Sequence, residues 1–152
     1  MIDRRVRYPK DKADLVGKLV YGDESKTAPF KQKSDVLAFA AALGLKKDRK
    51  TPLGNSFAEP IRLGVFEGQG YDILINLIAL HEKEDPKLLS NSPADVEHRV
   101  SIFEEYANGG LEILMQELSG AVDITETILL LVNSERTRTP EELKTFNLSS
   151  LV

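Results

Sequence analysis

The stretch Ser92-Pro93-Ala94-Asp95-Val96-Glu97-His98-Arg99-Val100-Ser101-Ile102-Phe103-Glu104-Glu105-Tyr106-Ala107-Asn108-Gly109-Gly110-Leu111-Glu112-Ile113-Leu114-Met115-Gln116-Glu117-Leu118 decides the fold. Val96, Val100, Phe103, Ala107, Leu111, Leu114 and Leu118 recur at steps of 4, 3, 4, 4, 3 and 4, the spacing of one buried face of an α-helix. Ser92 is placed to cap it, Pro93 takes the first helical position and Asp95 puts an acid in the first turn. The pattern predicts one helix of about 26 residues, roughly 39 Å long at 1.5 Å per residue. In the middle of this stripe stand Asn108, Gly109 and Gly110. Two helical glycines cost about 2 kcal/mol relative to alanine, so something must offset them. One reading is internal: a tight crossing against residues 36–43, or a break between two helices. The other is a partner's backbone approaching the glycine face.

Helical signals continue on both sides. Residues 71–83 carry Ile73, Leu74, Leu77, Ile78 and Leu80 and stop before Pro86. Asp123-Ile124-Thr125-Glu126 and Thr139-Pro140-Glu141-Glu142 resemble capping boxes, predicting helices over about 124–133 and 140–146. Ser34 is expected to cap a helix whose interior, Val36 to Leu43, is apolar on every side and which Gly44 should end. Such a helix is buried or has one face waiting for a partner. After Pro9, Leu15, Val16, Leu19 and Val20 mark a helix over residues 10–20, and residues 21–33 read as a loop. Residues 46–70 are irregular, and only Ile61 to Phe66 suggests a short strand, which must pair with another segment or a second chain. The expected fold is mostly α: a compact helical bundle of five to six helices, with one short strand or hairpin near residues 61–66. Residues 1–152 should form a single domain, with a basic N-terminal third (1–50), the irregular segment 46–70 and a helical remainder (71–152).

The chain has 152 residues, no cysteine, two histidines and a formal net charge of −4. That length can bury a core without staples. The missing cysteines exclude disulfides, Cys-ligated zinc, iron–sulfur clusters and thiol catalysis. The opening Met1-Ile2-Asp3-Arg4-Arg5-Val6-Arg7-Tyr8-Pro9 has no apolar stretch behind its charges, and no run approaches the roughly 18 apolar residues of a membrane span, so a cytoplasmic location away from membranes is expected. The net charge conceals a split: residues 1–50 hold 13 Lys and Arg against 7 Asp and Glu, whereas residues 51–152 hold 7 against 17. Either the basic third meets an external anion, nucleic acid or an acidic protein face, or it folds against the acidic remainder. The sequence pI of 5.3 speaks against a dedicated nucleic-acid module.

Catalytic machinery is hard to assemble from this sequence. His81-Glu82 and Glu97-His98 place carboxylates beside imidazoles, but adjacent helical residues point about 100° apart, and no Glu-x-x-His pair is present for a helical-bundle metal site. Glu104 and Glu105 offer helix-face carboxylates, one of which could meet Arg62. No nucleophile elbow, P-loop or dinucleotide fingerprint occurs, so no catalytic residue, metal site or cofactor is expected. Tyr8, Tyr21 and Phe30 interleave with Arg4, Arg5, Arg7, Lys10, Lys31 and Lys33, a mixture that serves phosphate and base contact or a helix–loop surface with aromatic core anchors.

Arg7-Tyr8-Pro9-Lys10, Pro29-Phe30-Lys31 leading into Asp35 to Gly44, Pro60-Ile61-Arg62, and Phe103 to Leu111 stand in an order that resembles the DNA phosphorothioation-associated protein 4 family (Dnd system-associated protein 4). These segments span residues 7 to 111, and the likeness in length extends to the whole chain. The resemblance implies an accessory subunit of a bacterial phage-defence system that recognises or cleaves DNA lacking the sulfur mark, and it carries no catalytic motif. The expected function is therefore a non-enzymatic accessory or scaffold subunit whose partners are other subunits of the phosphorothioation or restriction machinery, with DNA as a further candidate. The alternatives are a DNA-binding regulator of the same gene cluster and a metal-dependent hydrolase. Candidate contact residues for a partner or DNA are Arg4, Arg5, Arg7, Lys10, Lys31, Lys33, Arg62, Glu104, Glu105, Tyr106, Asn108, Gly109 and Gly110.

Overall fold

In the computed structural model, which describes residues 4–22 and 28–136, the long stripe is one uninterrupted helix. The chain runs through β1 (Arg5–Val6), α1 (Ala13–Lys18), α2 (Lys33–Lys46), β2 (Ile61–Arg62), α3 (Leu63–Gly68), α4 (Asp72–Lys83), α5 (Pro93–Leu118) and α6 (Ile124–Arg136), with 3-10 turns at Lys10–Lys12 and Pro86–Leu89. The fold is mostly α, as expected, with a single two-stranded antiparallel sheet among the described residues.

The start of α5 follows its sequence signals: the Ser92 hydroxyl accepts from the Asp95 backbone N–H at 3.3 Å, and Pro93 occupies the first turn. From Ile102 to Leu111 every residue except the half-buried Glu105 is buried, so the middle of α5 is enclosed on all sides rather than along one stripe. Its most extensive neighbour is α2, and α4 packs on it as well. Phe66, fully buried, stands edge-on to Phe103 at 5.7 Å between ring centres. At the other end, Asp123 accepts from the Glu126 backbone N–H at 3.0 Å and starts α6, which runs three residues beyond the expected 133. The helix expected over 140–146 lies outside the described residues.

Several expected boundaries shift for local reasons. α2 begins at Lys33 because Ser34 does not cap it: the Ser34 hydroxyl donates instead to the Gln69 side-chain carbonyl. It then continues through Gly44 to Lys46. The helix expected over 10–20 becomes a 3-10 turn followed by the short α1, because Val20 leaves the helix to bridge with Phe30, with Tyr21 N–H and Phe30 N–H bonding across. The strand expected over 61–66 shrinks to Ile61–Arg62, and Leu63 starts α3. A helical turn puts Leu63 and Phe66 on one side, towards the core, which strand alternation would not do.

β2 finds its partner at the N-terminus, with Arg5 opposite Arg62 and Val6 opposite Ile61. The pairing extends past the strands, because Ala58 N–H donates to Tyr8 C=O and Pro9 bridges Phe57. Between Val6 and Pro9 there are three steps, and between Ile61 and Phe57 there are four, so the second strand carries one extra residue as a bulge.

Candidate functional site

The enclosed middle of α5 organises four groups of side chains. On one side Glu104, with its side chain 1% exposed, receives Arg4 and Arg7. Arg4 donates through Nη2 to Oε1 at 2.9 Å and through Nη1 to Oε2 at 3.2 Å. Arg7 donates its backbone N–H to Oε2 at 2.6 Å and its Nη2 to Oε1 at 3.2 Å, while its guanidinium lies 4.8 Å from the centre of the Phe57 ring. A buried carboxylate is tolerated only when paired and hydrogen-bonded, and here both oxygens are used. Arg62, the partner expected from sequence, is not involved. Arg4 also pairs with Glu97 at the surface.

Two residues on, Tyr106 is buried and its hydroxyl donates to Glu82 of α4 at 2.7 Å, while Lys50 pairs with the other Glu82 oxygen. The hydrogen bonds from Lys50 and Tyr106 hold the Glu82 carboxyl below its usual range. Burial, with Glu82 as acceptor, pushes the Tyr106 hydroxyl up to about 12. Asn108 donates from Nδ2 to the Pro52 carbonyl at 3.0 Å and the Thr51 carbonyl at 3.3 Å, and Glu105 accepts Thr51 N–H on its backbone carbonyl. Arg49 closes this strap onto Glu112, whose carboxyl is lowered by Arg49 against the opposing effect of burial.

The glycines face backbone. A Cβ on Gly110 would stand 1.7 Å from the Ala40 carbonyl oxygen, and one on Gly109 would stand 2.0 Å from that of Arg49. Reciprocally, a Cβ on Gly44 would stand 2.2 Å from the Tyr106 carbonyl oxygen. α2 and α5 therefore cross with main chain against main chain at Gly110 and Gly44, while Gly109 admits the backbone of Arg49 just beyond α2, so internal packing accounts for both glycines without a break in the helix. Gly44 serves this approach, which is why it does not end α2.

Among the described residues, seven of eight ion pairs join a cation from residues 1–50 to a carboxylate from residues 51–152. The basic third thus folds against the acidic remainder. Arg5, Lys10, Lys31, Lys33 and Arg62 are exposed and outside these pairs, with Arg5 and Arg62 directly opposed. Lys31 and Lys33 sit instead at the start of α2, beside a cleft of about 520 Å³ lined by Phe30, Phe39, Tyr71 and Leu74. Tyr8 is buried and Tyr21 exposed. His81 and His98 are both exposed, and no group of three or more metal-ligating side chains occurs among the described residues. No helix there is long and apolar enough to cross a membrane.

Sequence reasoning missed Arg49, Lys50, Glu82 and Glu112, whose partners lie far away in the chain. It also missed Arg99, a buried guanidinium that donates to the Leu88 carbonyl at 2.7 Å and to that of Ser90. Only the charge split pointed to such pairings. A further feature is apolar: Ile73 and Leu77, one turn apart on α4, are 65% and 57% exposed.

These features define a small helical domain built on one enclosed helix, with a basic ribbon and an apolar helix face at its surface. The chain belongs to the DNA sulphur modification system-associated protein 4 family, whose model matches residues 5–151, in agreement with the resemblance carried by its motifs. No curated protein and no solved structure matches it.

Proposed function

We propose that this protein is a non-enzymatic, cytoplasmic accessory subunit of a bacterial DNA sulphur modification system and of the anti-phage restriction tied to it, acting as a scaffold through other subunits and DNA. Family membership supplies the system. The observation that carries the mode of action is the outer face of α4, where Ile73 and Leu77 stand exposed beside the cleft lined by Phe30, Phe39 and Leu74. An exposed apolar pair of this kind supports a protein contact, and burying each side chain would contribute about 1 to 2 kcal/mol. The non-enzymatic part is supported by how the carboxylates are used: Glu82, Glu104 and Glu112 all serve internal hydrogen bonds rather than a cleft.

The test is to isolate the chain from its native host and identify co-purifying subunits by mass spectrometry. Wild type should retain subunits of the modification system, and the Ile73→Asp, Leu77→Asp double variant should release them while melting within about 2 °C of wild type. Full retention by that variant would contradict the proposed contact. Plasmid nicking or phosphate release with Mg²⁺ and ATP that follows the protein through a second column would contradict the non-enzymatic reading.

A further inference from the structure

Opposed like charges on neighbouring strands destabilise a sheet, yet Arg5 and Arg62 are directly opposite in the only ladder among the described residues. Paired positions in an antiparallel ladder project to the same face, and Val6 and Ile61 take the inward one. The two guanidiniums therefore share the outward face, and both residues are exposed. Across the ribbon, residues 4–10 and 56–63 hold Arg4, Arg5, Arg7, Lys10 and Arg62 against the single carboxylate of Glu59. Glu104 takes up Arg4 and Arg7 from beneath, which leaves Arg5 and Arg62, with Lys10 further along, as the uncompensated charge.

We propose that this arginine pair is the protein's contact with the backbone of duplex DNA. The inference rests on the reading that the chain works within a DNA modification system and names the surface that meets the DNA. An anion laid across the pair removes the repulsion that the ladder carries in the free protein. Guanidiniums recognise phosphate oxygens with paired N–H donors. The ribbon supplying them is held in place: Glu104 bonds the Arg7 backbone N–H as well as both neighbouring side chains. The ladder is only two residues long and its outward side chains are both arginines, which suits contact with phosphates, and such contact carries no base information. Binding is accordingly independent of sequence and sensitive to salt.

The test uses the full chain and fluorescently labelled 20-base-pair duplexes of two unrelated sequences, followed by anisotropy over a range of salt. Wild type should bind both duplexes within about twofold. The Arg5→Gln, Arg62→Gln double variant should lose at least about tenfold in affinity at low salt, with the slope of log K against log salt reduced by about 1.8, from 0.9 per phosphate contact. Lys83→Gln with Lys87→Gln, exposed cations on other elements, should bind as wild type. Thermal melting of the arginine variant should be unchanged or higher, because a repulsion is removed. Absence of binding by wild type, an unchanged slope in the double variant, strong preference for one sequence, or equal competition by polyglutamate would each overturn the assignment. Capture of partner subunits by the arginine variant separates the two proposals: retained capture leaves the scaffold reading standing whatever the DNA result.

Discussion

α2 and α6 both lie against α5, and they are held there by different physics. At the α2 crossing, Gly44 and Gly110 let carbonyls approach to where a Cβ would be, and Ala40, Ala41, Val36 and Leu37 are fully buried around it. α6 buries only Ile128, leaves Leu129 and Leu130 mostly exposed, and borders a small cleft of about 180 Å³ facing Phe39 and Leu43 of α2. Its further ties are the partly buried Ile124, Leu131 and Val132, which pack on the core, and Lys46 and Lys47 pairing with Glu135. Dense main-chain contact resists any added volume, whereas a helix resting on one buried and a few partly buried side chains and on surface charge can open without the rest. The account is that the α2–α5 crossing is the stable unit, onto which the N-terminal ribbon and α6 are clipped.

The comparison breaks most directly at the crossing. Gly110→Ala should destabilise by about 3 kcal/mol or more in urea unfolding, because the new methyl meets a carbonyl rather than a movable side chain. A variant as stable as wild type would show that the helices do not cross this closely. Glu104→Ala should cost about 3 kcal/mol by the same measurement, since Arg4 and Arg7 would keep their charge without the buried carboxylate. Ile128→Ala removes the one buried anchor of α6 and should cost about 2 kcal/mol, at the low end for such truncations because the site lies next to solvent. Glu135→Gln should change stability by less than about 1 kcal/mol, and added salt should shrink the difference further.

pH sharpens the same contrast. Glu82, Glu112 and Glu135 all titrate below the usual carboxylate range in the folded protein, with Lys50, Arg49 and Lys47 as the stabilising cations. Their contribution is complete above the unfolded value of about 4.3 and is lost as pH falls through the lower folded values, so melting temperature should drop in that acid window. Tyr71 and Tyr106, both raised to about 12 by burial and by their carboxylate acceptors Asp35 and Glu82, favour the folded state until pH passes about 10, and their contribution disappears between there and about 12. Tyr106→Phe should flatten the alkaline limb in a melting series.

Local signals in the sequence located what local physics decides. The Ser92-Pro93 start and the apolar stripe give α5 its observed length, and Asp123 starts α6 where the capping pattern puts it. Residues 61–66 read as a strand because a short apolar run carries no period that separates a strand from a helical turn, and the turn goes with Phe66 packing on Phe103. Gly44 misleads for another reason: a glycine after a helical run reads as a stop, while its actual use depends on Tyr106 far along the chain. The charge split made an internal match conceivable, yet no local rule pairs Glu104 with residues 100 and 97 positions earlier. The facing arginines depend on the register of a ribbon whose strands lie far apart in sequence, so Arg5 and Arg62 were legible as basic residues but not as a pair.

Native-state hydrogen exchange reads the claimed division of stability directly. The account predicts that amides of α2 and of residues 103–111 exchange only through global unfolding, with protection matching the urea free energy, while those of α6 exchange through a local opening of clearly lower free energy. Protection of α6 equal to that of α2 would contradict it.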